Sequence, residues 1–167
     1  NKKKRIVERD IRDKKGDRFE WFAEEFEYLV SSGIALDVHA ISNPRYPLSE
    51  SVHKNLLKLY LNDVGMLTGR LYEYNIAPVM KDERSINLGA VYESVVAQEL
   101  KAHGPDLFYY DNTTKGEVDY LVNDVAGMTV LPIEVKSGKD FTSHKALDRF
   151  LRNPEYNIPA GIVLDNE

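Results

Sequence analysis

The stretch from Gly116 to Gly138 reads GEVDYLVNDVAGMTVLPIEVKSG. Two runs rich in β-branched and aromatic residues flank a turn carried by Asn123, Asp124 and Gly127, which predicts a β-hairpin. Side chains alternate faces along a strand, so Glu134 and Lys136 point to one side and Ile133 and Val135 to the other. In the first arm, Val118, Tyr120 and Val122 alternate with Glu117, Asp119 and Leu121, the pattern of a half-buried strand. Folding the arms together brings Asp119 near Glu134 across the ladder. Two carboxylates and an ammonium group converging at a sheet margin predict a divalent-metal site with a cation beside it. Those are the makings of a metal-dependent phosphodiester hydrolase.

Working outward, LGAVYESVVAQELKAHG is expected to be a helix ended by Gly104, with Leu88, Val91, Tyr92, Val95, Val96 and Leu100 forming its apolar arc. Glu93 falls at the border of that arc and Glu99 nearer its middle, where a charge needs a partner. DLFYYDN reads as a strand, FTSHKALDRFLRN as a second helix and AGIVL as a final strand. The order is helix, three strands, helix, strand. A right-handed crossover through the second helix brings the last strand parallel to the third, giving a mixed α/β sheet with helices packed on it.

Upstream, Phe19, Phe22, Ala23, Phe26, Leu29 and Val30 recur at spacings of three and four, an amphipathic helix that Gly33 ends. Ile34, Leu36, Val38 and Ala40 alternate as a strand, SNPRYP is a turn-rich connection, and Leu57, Leu59 and Leu61 mark a second strand before a break at Gly65. A helix followed by two strands predicts a small winged-helix-like α+β module over 1–69, either a DNA-reading wing or a structural adaptor. Residues 70–85 read as a connector with one short helix, and 86–167 as a second domain.

The chain has 167 residues, enough for one ordinary domain or two small ones. It has no cysteine, which excludes disulfides, thiolate zinc sites and cysteine nucleophiles. No apolar run approaches the ~20 residues of a membrane span, and NKKKRIVERD lacks the apolar middle of a secretory signal, so a cytoplasmic location is expected. The starting Asn1 suggests a piece of a longer polypeptide. Net charge is −5, against nucleic-acid binding over the whole surface. Residues 1–18 nevertheless carry nine Lys/Arg against four Asp/Glu, a basic arm able to meet phosphates or simply a solvated flank.

Glu93 on a helix, with Asp119, Pro132, Glu134 and Lys136 following on two strands, resembles the PD-(D/E)XK, or restriction-endonuclease-like, nuclease superfamily. The resemblance implies an αβββαβ core. The longer blocks EYLVSSGIALDV, PRYPLSESVHKNLLKLYLNDVGML, NLGAVYESVVAQEL and GEVDYL with LPIEVKSGK are similar to the carboxy-terminal domain of unknown function that follows the P-loop module in many prokaryotic AAA-type ATPases. That family implies an ATPase module upstream. No GxxxxGK[ST] occurs here, and SGKD at 137–140 lacks the spacing of a phosphate loop, so no ATP site is assigned to this chain.

The expected activity is Mg²⁺- or Mn²⁺-dependent DNA cleavage, with Glu93, Asp119, Glu134 and Lys136 as catalytic residues. Asp119, Glu134 and the Val135 carbonyl anchor the ion. Lys136 orients the nucleophile and stabilises developing charge, and Glu93 serves as a further ligand, a support to the ligands, or a base. Lys115 and Lys139 flank the hairpin arms as candidate phosphate contacts. The competing expectation is a non-catalytic module that binds nucleic acid or protein and directs the ATPase; a structural oligomerisation domain is a third. An ExK triplet by itself says little, because facing charges on an exposed sheet are commonly a surface ion pair worth ~0–1 kcal/mol. His39, His53, His103 and His144 have no metal-ligand spacing, and Ser137 and Ser143 lack partners for nucleophilic catalysis. Tyr109, Tyr110 and Tyr120 are candidates for base stacking or for the core. Trp21 reads as a packing residue.

Overall fold

The computed structural model describes residues 22–73, 76–81, 88–114, 116–137 and 144–165. Helix α1 (Ala23–Ser31) leads into β1 (Ala35–Ile41), a 3-10 turn (Leu48–Ser51) and β2 (Val52–Leu61). Two short helices follow, α2 (Val64–Leu71) and α3 (Ile76–Met80). The remainder is α4 (Gly89–Ala102), β3 (Phe108–Asn112), β4 (Gly116–Asp124), β5 (Thr129–Val135), α5 (Lys145–Leu151) and β6 (Ile162–Leu164). Helix α1 closes as expected at Gly33, whose φ of +75° a side chain would strain. The turn carries bonds from Gly33 N to Val30 O and from Ile34 N to Leu29 O. Helix α2 starts where a break at Gly65 was expected. The Asp63 carboxylate accepts the Gly65 and Met66 N–H groups at 2.7 and 3.3 Å, capping a helix that contains the glycine.

The six strands of the described residues form one mixed sheet in the order β2-β1-β3-β4-β5-β6. Strands β3, β4 and β5 are antiparallel neighbours, and β6 returns through α5 to lie parallel to β5. The helix, three-strand, helix, strand order expected over 86–167 is therefore present in the described residues. The winged-helix-like module expected over 1–69 is corrected. Strands β1 and β2 do pair as an antiparallel hairpin, but β1 also hydrogen-bonds β3 in parallel, through His39↔Phe108 and Ala40↔Tyr109. The hairpin thus extends the same sheet, because its apolar faces are continued by those of β3.

Alternation along β3 shows how the core divides. Phe108 and Tyr110 pack with Leu121, Leu147 and Phe150 under α5, whereas Tyr109 packs with Val38, Tyr120 and Ala97 under α4. Tyr110, Phe150 and Tyr156 stack with ring centroids 5.1–6.1 Å apart, and the Tyr110 and Tyr156 hydroxyls are hydrogen-bonded at 3.0 Å. Aromatic pairs of this kind add ~0.5–1.5 kcal/mol each beyond the area they bury. Of the two roles open to Tyr109, Tyr110 and Tyr120, base stacking or core packing, the structure shows the second, since all three rings are buried in the core.

Two further expectations hold only in part, although Leu88 is buried and Val96 and Leu100 of α4 do pack on the core. The buried face of α4 is Glu93, Ser94 and Ala97, while Val95 is 45% exposed. Glu99, expected near the middle of the apolar arc, has a side chain 74% exposed. In β4 the simple alternation breaks. Phe108 opposes Leu121 and Tyr110 opposes Val118, so Asp119 and Tyr120 together stand against the single residue Tyr109. This β-bulge puts Val118 and Leu121 in one core cluster and Tyr120 and Val122 in the other.

Candidate functional site

The β4–β5 ladder runs from Asp124↔Thr129 to Tyr120↔Ile133 and stops there. Beyond that point β5 continues to pair with β6, through Glu134↔Val163 and Val135↔Leu164. Strand β4 keeps pairing with β3. The two strands part where the sequence places its acids. At the fork the Asp119 carboxylate takes over the ladder's role, accepting the Val135 N–H on Oδ2 at 2.9 Å. The bulge and the fork together position Asp119, which no alternation rule could do alone.

Asp119 and Glu134 are each only 5% exposed. Lys136 donates from Nζ to Glu134 Oε1 at 2.6 Å, and the lysine side chain remains 27% exposed. The other carboxylate oxygen, Glu134 Oε2, is buried and has no hydrogen-bond partner among the described residues. Burial chiefly, and then the charges of Glu134 and Glu93, push the Asp119 pKa up to about 6. The Val135 N–H and the Lys58 ammonium act the other way.

Glu93 enters from α4, 4% exposed. Tyr60 of β2 donates its hydroxyl to Glu93 Oε2 at 3.2 Å, and Tyr120 of β4 donates to the Glu93 carbonyl at 2.8 Å. Burial chiefly, with the neighbouring carboxylates, holds both phenols well above the ordinary tyrosine range, so both remain neutral donors. Lys58, also on β2, is 1% exposed. Its ammonium lies 4.7 Å from the Tyr109 ring centroid and donates to Glu117 Oε1 at 2.5 Å, spanning the two strands between β2 and β4.

The structure thus brings Glu93, Asp119, Glu134 and Lys136 to one region, with Val135 between the last two. Lys115, Lys139, Ser143 and Trp21 lie outside the described residues. Sequence reasoning missed Lys58, Tyr60 and Glu117. The available signal was the charged Lys58 between Leu57 and Leu59 in the LLKLYL run, a lysine on a strand whose neighbours are apolar. Of the histidines, His39 pairs with Asp37 at 2.8 Å, holding that carboxyl below its usual range, and His103 is exposed near Glu99.

For a hard divalent cation the donor chemistry fits. Asp119 and Glu134 supply carboxylate oxygens, one of them buried with no hydrogen-bond partner among the described residues, and like-charge repulsion at Asp119 is of the kind a cation relieves. Among the described residues no group of three His, Cys, Asp or Glu side chains forms a metal cage. A cation held here would rest on two carboxylates, a backbone carbonyl and water, the few-ligand mode typical of Mg²⁺. Two cavities of about 370 and 330 Å³ lie elsewhere, one beside Arg45 and Tyr156, the other between α1 and β1.

Residues 88–167, from α4 onward, match the family model described as a domain of unknown function, DUF4143. No curated protein and no solved structure matches the chain. Among the described residues no helix is long and apolar enough to cross a membrane.

Proposed function

We propose that this chain carries a restriction-endonuclease-like core that hydrolyses phosphodiester bonds in DNA with Mg²⁺ or Mn²⁺. In this reading it acts in the cytoplasm, downstream of a P-loop ATPase module of the same polypeptide. The observation that carries the reading is the fork between β4 and β5. There Asp119 and Glu134 sit buried together, one Glu134 oxygen has no hydrogen-bond partner among the described residues and the Lys136 ammonium is 2.6 Å from the other. The element order and the helical acid Glu93 support it further.

In this reading Asp119, Glu134 and the Val135 carbonyl hold the cation, which when bound supplies an acidified water and screens the phosphate oxygens. Lys136, the more exposed of the two lysines, is the one able to reach a phosphate and stabilise charge developing on it. Glu93, fixed by Tyr60, keeps a third carboxylate beside the ligands and adds to the field that favours cation capture. The test is cleavage of plasmid DNA by the purified chain with Mg²⁺ or Mn²⁺. Nicking is expected in the wild type and should be lost in Asp119→Ala and Lys136→Ala. Uncut plasmid with either ion, or cutting that persists in Asp119→Ala, overturns the reading.

A second reading is favoured by the near-complete burial of both carboxylates and by the net charge of −5. It is a non-catalytic module that binds nucleic acid or a protein and directs the ATPase. Salt-sensitive DNA binding without cleavage, unaffected by Lys136→Ala, is its signature.

A further inference from the structure

Helix α5 buries Leu147 and Phe150 in the core and leaves Lys145, Arg149 and Arg152 exposed. Spacings of four and three residues put these three cations on one helical face, and the Arg152 N–H still donates to the Asp148 carbonyl, so the helical path reaches the last of them. Among the described residues none of the three is ion-paired. Asp148 is the one acid on α5, so three cations stand against one carboxylate in a chain whose net charge is −5. The helix is also tied to the strand that carries Asp119. A Cβ at Gly116, the first residue of β4, would lie 3.0 Å from the Ala146 Cβ, and Arg149 Nη1 donates to the Thr114 carbonyl at 3.4 Å. Asp119 follows Gly116 by three residues, about 10 Å along the strand.

We propose that the Lys145, Arg149 and Arg152 face of α5 is a docking track for the DNA backbone. It rests on the DNA reading above, but on binding alone and not on cleavage. Cations left without carboxylates in an acidic chain stay available to a polyanion, and each phosphate they neutralise releases condensed counterions. Spacing favours DNA over an acidic protein segment. From Lys145 to Arg152 the helix rises about 10 Å, and three phosphate steps along one DNA strand also cover about 10 Å. Two of the three are arginines, whose planar fork matches phosphate oxygens bidentately. The Thr114 carbonyl engages one nitrogen of Arg149 and so orients a guanidinium whose other donors face no carboxylate. Contacts of this kind fix where the duplex lies and carry no sequence information of their own.

The experiment is fluorescence-anisotropy binding of a short labelled DNA duplex by the full 167-residue chain, in EDTA to prevent cutting, over a range of NaCl concentrations. The slope of log affinity against log salt is read for wild type, for Lys145→Gln, Arg149→Gln and Arg152→Gln singly, and for the triple variant. Arg70→Gln/Lys81→Gln, which removes exposed cations at α2 and just past α3, is the control. Each single variant is expected to flatten the slope by about 0.9, and the triple variant by about 2.7, one phosphate contact per side chain. The control should stay within about half a unit of wild type. The single variants keep the test decisive if the triple variant folds poorly. Slopes unchanged in the single variants, or a control that flattens the slope as much, overturn the proposal. A wild type that binds no duplex even at low salt overturns it together with the DNA reading and leaves the face to an acidic protein partner. A duplex bound through α5 by a chain that leaves plasmid uncut upholds the proposal and overturns the nuclease reading alone.

Discussion

Asp119→Asn tests the electrostatics of the fork without needing any ligand. The wild-type carboxyl has its pKa pushed from 3.8 up to about 6, first by burial and then by Glu134 and Glu93. One pKa unit corresponds to about 1.4 kcal/mol, so the ionised form costs the fold roughly 3 kcal/mol relative to the protonated one. The sign follows from proton binding. Between about pH 3.8 and 6 the native state holds a proton that the unfolded chain has lost, so stability falls as pH rises through this window. Above it the whole penalty applies, and below it none does. Linkage returns about 2 kcal/mol of it between pH 8 and pH 4.5.

Asparagine cannot ionise, yet its amide oxygen can still accept the Val135 N–H. Urea unfolding of both chains at pH 4.5, 6 and 8 therefore reads the difference directly. The stability of Asp119→Asn relative to wild type is expected to improve by about 2 kcal/mol from pH 4.5 to pH 8, whatever constant offset the substitution introduces. A difference that stays flat across this range, or one that grows toward acid, refutes the account of a carboxylate ionised under strain. Adding MnCl₂ at pH 8 should stabilise the wild type and leave Asp119→Asn nearly unmoved.

Tyr60→Phe removes the hydroxyl that holds Glu93 Oε2 at 3.2 Å, in a buried setting. A loss of about 1–2 kcal/mol in urea unfolding is expected, and an unchanged midpoint would count against that hydrogen bond. Gly116→Ala places a Cβ 3.0 Å from the Ala146 Cβ at a backbone φ of +99°. It should cost about 1–3 kcal/mol by thermal or urea unfolding, and a neutral result would show that β4 can start differently.

The hairpin, its turn and the order of elements from α4 to β6 were legible because period-2 alternation and punctuating residues are local signals. Asp119, Glu134 and Lys136 were legible for the same reason. Three features were not. The bulge at Asp119 and Tyr120 exists only in the pairing with β3, where one residue, Tyr109, opposes two. A single strand's sequence does not state how its neighbour counts. Glu93 was placed at the border of an apolar arc, but partners on β2 and β4 make it buried. The winged-helix expectation judged β1 and β2 by their own hairpin and could not see that β1 has a second neighbour in β3.

The same blindness hides part of the site. Carboxylates held at 5% exposure require compensating charge or hydrogen bonds, since an isolated buried ion costs several kcal/mol. Some compensation is close in sequence, as with Lys136 for Glu134. More comes from β2, where alternate positions of one strand present Lys58 and Tyr60 to the side of the sheet covered by α4. One partners Glu117 and the other Glu93, carboxylates on different elements that the matched segment itself supplies. An edge strand distant in sequence thereby becomes part of the chemistry. Strand β2 therefore contributes to holding the buried acids of α4 and β4, and the sheet that carries them runs from β2 to β6.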